Sequence, residues 1–133
     1  MSANPYNTYQ SLNKENMQPR ELEASILTKA GMMLKRCQKN WHDSERDRNL
    51  DEALKFNQKV WSFFQAELSD PENPLPLPLR CNILNLSILI DKIIFDVIAY
   101  PEPEKLTPII EINLNLAAGL FTTPEESTLE MAA

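Results

Sequence analysis

Glycine is nearly missing from this 133-residue chain: Gly31 and Gly119 are the only two. That excludes a P-loop, a dinucleotide fingerprint or any other glycine-built phosphate cradle, and with them most nucleotide-dependent chemistry. Histidine is scarcer still. His42 stands alone in a polar stretch beside Trp41 and Asp43, with no serine, cysteine or metal partner that the sequence places for it, and reads as a solvated loop residue rather than a general base. The two cysteines, Cys37 and Cys81, form neither a Cys-x-x-Cys pair nor a metal-ligand spacing, so they read as packed thiols, a disulfide being open to them only in an oxidising compartment. Positive charge is in deficit, 13 Lys+Arg against 19 Asp+Glu for a net 13 − 19 = −6, which disfavours nucleic acid and anionic membranes as partners.

A long uninterrupted apolar run is lacking too. The most apolar region, 83–100, is broken by Asn85, Asp91, Lys92 and Asp96, and the three charges would each cost a bilayer helix about 2–4 kcal/mol at mid-span, so it reads as a core helix and no membrane span is expected. Residues 1–10 have no basic start, apolar stretch or small-residue cleavage site, and the expected location is the cytoplasm. Adjacent carboxylates such as Asp51 and Glu52, or Glu125 and Glu126, point about 100° apart on a helix and cannot flank one substrate bond. No catalytic, metal-binding or cofactor-binding residue is assigned, and the expectation is a protein that is not an enzyme.

What is present is a 43% apolar composition, enough for the core of one domain, with ten prolines and polar runs that divide the chain into helical segments. The fold class is all-α, a bundle of four to five helices joined by proline-rich and polar loops. The helices are expected at about 19–40, 49–69, 77–99 and 103–118, with 4–14 a candidate fifth and 121–133 a frayed acidic tail. Pro19 suits a first helical position, and Glu21 and Glu23 then oppose Lys35, Arg36 and Lys39 across the helix dipole. Asn49 and Glu52 have the spacing of a capping box at the start of the second helix. Pro71, Pro74, Pro76 and Pro78 end it, and Pro101 and Pro103 restart the chain before the last.

The third helix carries two apolar faces. Leu79, Ile83, Leu86, Ile90, Ile94 and Val97 form one stripe, while Leu84, Ile88 and Phe95 lie on roughly the opposite side. Either the helix is central and buried all round, or its second face is an interaction surface, and both readings stay open at the level of sequence. Lys35, Arg36 and Lys39 make a local basic cluster without an aromatic stacking platform, so RNA contact is the weaker account of them. Trp61 and Phe64 suit a core, and the asparagines Asn57, Asn82, Asn85, Asn113 and Asn115 sit where asparagine is a poor helix former.

A series of motifs in one order spans about residues 5–120. It runs from Pro19-Arg20-Glu21-Leu22-Glu23-Ala24 through Leu50-Asp51-Glu52-Ala53-Leu54-Lys55-Phe56-Asn57 and Val60-Trp61 to Phe64-Gln65-Ala66-Glu67-Leu68. It continues with Asn73-Pro74-Leu75-Pro76, Ile90-Asp91 with Phe95, and Ile112-Asn113-Leu114-Asn115 before Ala117-Ala118-Gly119-Leu120. Together these motifs resemble the FlaF family of flagellar biosynthesis regulators, and the resemblance implies a bacterial cytoplasmic protein without enzymatic activity. It implies a flagellin-binding export chaperone that promotes flagellin synthesis and opposes a FlbT-type repressor of flagellin translation. The alternative is a post-transcriptional regulator acting through the transcript or that repressor. The candidate partner-binding residues are Leu84, Ile88 and Phe95 as a groove, with Arg20, Glu21, Asn57, Trp61, Asn113 and Asn115 carried over from the family motifs. Two departures stand out: Lys92-Ile93 where the family suggests a basic pair, and Leu114 where it suggests an arginine nearby. The oligomeric state is left open.

Overall fold

A computed structural model describes residues 19–120, and among them every regular element is helical. The elements are α1 (Pro19–Lys39), α2 (Arg46–Ser69), α3 (Leu77–Ala99) and α4 (Thr107–Leu120), with a 3-10 turn at Pro103–Leu106 leading into α4. The all-α class read from the periodicity holds. The candidate helix 4–14 and the acidic tail 121–133 lie outside the described residues.

Helix α1 carries an acid in its first turn, Glu21, and the bases Arg36 and Lys39 in its last, each opposing the local end of the helix dipole. Leu22, Ile26, Leu27, Ala30 and Leu34 are fully buried, because α1 packs along α4 on one side and α2 on the other. The central position weighed for the third helix therefore belongs to α1. Helices α1 and α4 approach closely at Gly31, where a Cβ would stand 3.1 Å from Leu114 Cδ2 and 3.4 Å from Asn113 Cβ.

Helix α2 starts at Arg46, ahead of the Asn49 start that the capping-box reading implied. Asn49 is exposed, and its N–H donates to the Glu45 carbonyl at 2.9 Å inside the first turn. The polar run organises itself through local bonds that hydrophobic periodicity does not register. Asp43 Oδ1 accepts the Glu45 N–H at 2.8 Å, and the Arg46 N–H reaches the Asp43 carbonyl at 3.0 Å. The Arg46 guanidinium then lies 4.4 Å from the Trp41 ring centroid while pairing with Asp47.

Pro76 caps α3 and Pro78 falls in its first turn, where a missing N–H costs nothing. Arg80 reaches back over the linker. Its Nε donates to the Leu75 carbonyl at 3.1 Å and its Nη1 to the carbonyls of Asp70 at 3.1 Å and Leu68 at 3.5 Å, satisfying acceptors left open at the end of α2. This clasp lays α3 against α2. The backbone of α3 comes closest to α2, with smaller approaches to the 3-10 turn and α4.

The last segment, expected as one helix over 103–118, is divided. A continuous α-helix would press the Pro108 ring against the Glu104 carbonyl and lose a hydrogen bond there. The chain instead takes the 3-10 turn and starts α4 at Thr107, placing Pro108 at its second residue. The helix runs on to Leu120, two residues beyond the expected end at 118.

Because the α1–α4 approach leaves no room for a larger residue, Gly31→Leu is expected to lower the unfolding free energy by about 1–3 kcal/mol through overpacking against Leu114, read by urea denaturation.

Candidate functional site

The structure sorts the residues singled out by sequence into two groups with different fates. Asn57, Trp61 and Asn113 come together inside the bundle, each 0% exposed. Trp61 Nε1 donates to Asn113 Oδ1 at 2.9 Å, and Asn113 Nδ2 donates to Asn57 Oδ1 at 2.6 Å, a polar chain bonding α2 to α4 across an apolar core. No partner surface reaches these three, so their place as contact residues is corrected to an internal one, positioning the helices. Asn57 Nδ2 is buried without a hydrogen-bond partner. Glu21 and Asn115 are exposed on α1 and α4, apart from that chain, and Arg20 is half-buried at the start of α1.

Near Arg20 lies a residue that sequence reading took only as dipole complement. The Glu23 carboxyl is pushed up to about 7, first by burial and then by Glu67 facing it from α2, with Arg20 pulling partly the other way. An ordinary carboxylate titrates near about 4.3, so between these values the folded chain holds a proton that the unfolded chain has released. Stability from this site is complete below the unfolded value and is lost as pH rises towards 7.

Elsewhere the chemistry is sparse. Cys37 is buried, and its thiol is held up first by burial, with Arg36 opposing and Glu52 reinforcing, which keeps it a thiol rather than a nucleophilic thiolate. A cavity of about 180 Å³ beside it, lined by Met33, Arg36, Asn40 and Glu52 among others, is smaller than an ordinary small-molecule site. His42 is exposed in the loop between α1 and α2. Among the described residues no cluster of His, Cys, Asp and Glu is placed to hold a metal ion.

The remaining candidate is the outer side of α3. Its inner stripe, Leu79, Ile83, Ile90, Ile94 and Val97, is buried against the bundle, and Ser87 joins it by accepting a hydrogen bond from Gln65 of α2 at 3.0 Å. Leu86, read as part of that stripe, is only half-buried. On the outer side Ile88 is 53% and Phe95 65% exposed, with Leu84 half-buried at the margin. Sequence reading missed the rest of this surface. Leu77 and Ile98 extend the same edge, and Leu89 and Tyr100 lie exposed on the other flank of the helix. The signal was available in the spacing of Leu77, Leu84 and Ile98 at multiples of seven, but their exposure follows, among the described residues, from the packing of α3 mainly on α2.

A small all-helical protein with a buried polar joint and one bare apolar helix face is the class that fold and site define. A family model described as "Flagellar protein FlaF" matches residues 5–120, and the chain belongs to that family. Comparisons with curated proteins and with solved structures each found no match. Family membership makes this a flagellum-related protein. No helix among the described residues is long and apolar enough to cross a membrane.

Two measurements check the internal assignments. Asn113→Ala strands the Trp61 N–H and one side of Asn57, and is expected to cost about 2–4 kcal/mol of stability, while Asn115→Ala stays within about 0.5 kcal/mol. Glu23→Gln is expected to stabilise the chain by about 1–3 kcal/mol at pH 8 and to change little at pH 4, seen as a difference between the two denaturation midpoints.

Proposed function

We propose that this protein is a flagellin-binding chaperone that promotes flagellin synthesis and export, acting in the cytoplasm by binding rather than by catalysis, with the outer face of α3 as the docking surface. The observation that carries this reading is the run of exposed apolar side chains, Leu77, Ile88, Phe95 and Ile98, along one edge of a single helix. A soluble monomer seldom leaves such a stripe in water without use. Before assembly the terminal helices of a flagellin lack the neighbours they have in the filament, and an apolar helix face supplies a temporary one.

A second reading, regulation through the flagellin transcript or a FlbT-type repressor, is favoured by one feature. Lys35, Arg36 and Lys39 are all exposed on the last turns of α1. The nearest indole, Trp41, is half-buried and already faces Arg46, so these cations have no open aromatic platform beside them. Their placement against the helix dipole accounts for them without a ligand.

Calorimetric titration with flagellin, full-length and lacking each terminal segment, at two salt concentrations separates the readings. The chaperone reading expects saturable, weakly salt-dependent binding that one terminal deletion abolishes and that Leu84→Ala, Ile88→Ala and Phe95→Ala together weaken at least tenfold with the helical spectrum intact. Binding to the transcript that falls steeply with salt, without flagellin binding, replaces it with the second reading.

A further inference from the structure

The outer edge of α3 has a finer pattern than apolarity. Leu77, Leu84, Asp91 and Ile98 recur every seven residues, and Cys81, Ile88 and Phe95 form a second series between them, so the alternating spacing is that of a coiled-coil seam. From Leu77 to Ile98 the seam is about 31 Å long at 1.5 Å per residue. Six of its seven positions are apolar or thiol-bearing. The exception, Asp91, sits near the middle, with Ile88 and Phe95 the nearest seam positions on either side.

Asp91 is half-buried and has no ion pair or hydrogen bond among the described residues. Two of the cations on and after α3 are committed elsewhere. Arg80 is held on the backbone carbonyls of Leu68, Asp70 and Leu75, and Lys105 pairs with Asp96 and Glu102. Lys92, exposed and in no ion pair among the described residues, leaves the helix about 100° round from Asp91 and stands on the rim of the face, four residues after Ile88 and three before Phe95. An uncompensated carboxylate in an otherwise apolar seam is a poor match for an all-apolar partner helix, which would strip its water without replacing it. It is a good match for a helix that brings a cation.

We infer that the outer face of α3 takes a single amphipathic helix, apolar on a seven-residue repeat, that carries a lysine or arginine in the layer facing Asp91. This rests on the docking reading above and narrows it. The apolar layers supply affinity for many amphipathic helices, and the Asp91 layer sets which helix is accepted and in what register, because a one-heptad slip leaves the carboxylate facing an apolar side chain. A second copy of α3 is a poorer occupant: pairing two such seams brings another acid into the apolar layers and offers only Lys92, at the rim rather than in the seam, to answer it.

The test uses the full chain and the terminal helical segment of flagellin. Asp91 makes no internal bond, so Asp91→Lys and Asp91→Asn are expected to fold as the parent does. Asp91→Lys should weaken binding at least tenfold and Asp91→Asn less. Changing the facing lysine or arginine of the segment to glutamate should restore binding to Asp91→Lys while weakening it for the parent. Exposed Cys81 lies on the seam and Cys37 is buried, so alkylation of Cys81 reports occupancy. It should be fast in the dilute free chain and slowed several-fold by the segment.

Unchanged affinity of Asp91→Lys, alongside loss of binding on removing the side chains of Leu84, Ile88 and Phe95, overturns the inference and leaves the docking reading standing. Slow Cys81 alkylation in the dilute free chain means that the chain's own residues cover the face, and overturns it. So does alkylation that slows only as protein concentration rises, together with a dimer in sedimentation, since a second copy is then the occupant. If no flagellin segment binds the parent chain, the docking reading falls and this inference with it.

Discussion

The hydrogen-bonded chain from Trp61 through Asn113 to Asn57 is the constraint on which the arrangement of helices turns. Apolar side chains fill the bundle, but apolar contact is tolerant of sliding, and a helix can shift along its neighbour with modest loss. A buried indole N–H and two buried amides are not tolerant: each unmet group costs about 1–3 kcal/mol, so one register of α2 against α4 is selected over its neighbours. With α2 and α4 set, α1 is enclosed between them, and its close approach at Gly31 becomes both required and permitted.

That enclosure decides the fate of α3. The linker after α2 is stiffened by its prolines and tied down by Arg80, so α3 returns directly along α2 instead of crossing to cover α1. A helix packed mainly on one neighbour buries one stripe, and α3 is apolar on more than one stripe. The bare outer face is thus a consequence of a filled core: α1 already occupies the middle. The same geometry explains why the family-motif residues divide as they do. Some, such as Asn57 and Trp61, are buried and join the helices to one another, and others, such as Phe95, are left exposed.

Much of this was legible in the chain. Periodicity and proline placement located four helical segments because a stripe of apolar residues at 3.6-residue spacing has few other uses in water, and because a proline inside a helix is costly. Boundaries set by polar chemistry were less legible. The α2 start at Arg46 depends on Asp43 bonding the backbone and on Arg46 covering Trp41, contacts that reward a polar run for being helical. The break before α4 depends on Pro108, whose cost is fixed only once the geometry of the preceding turn is known. Glu23 likewise gave no sequence signal, since its elevated titration arises from burial and from Glu67 on another helix.

By itself the sequence determined the helical class, the apolar stripes, the acidic balance and the family, because composition, spacing and motif order are properties of a linear chain. Only the tertiary structure decided which stripe of α3 is core and which is surface, and that Asn57, Trp61 and Asn113 face one another rather than a partner. Those outcomes depend on which helix lies beside which, and that is settled by competition among all the helices for one interior too small to bury every apolar face.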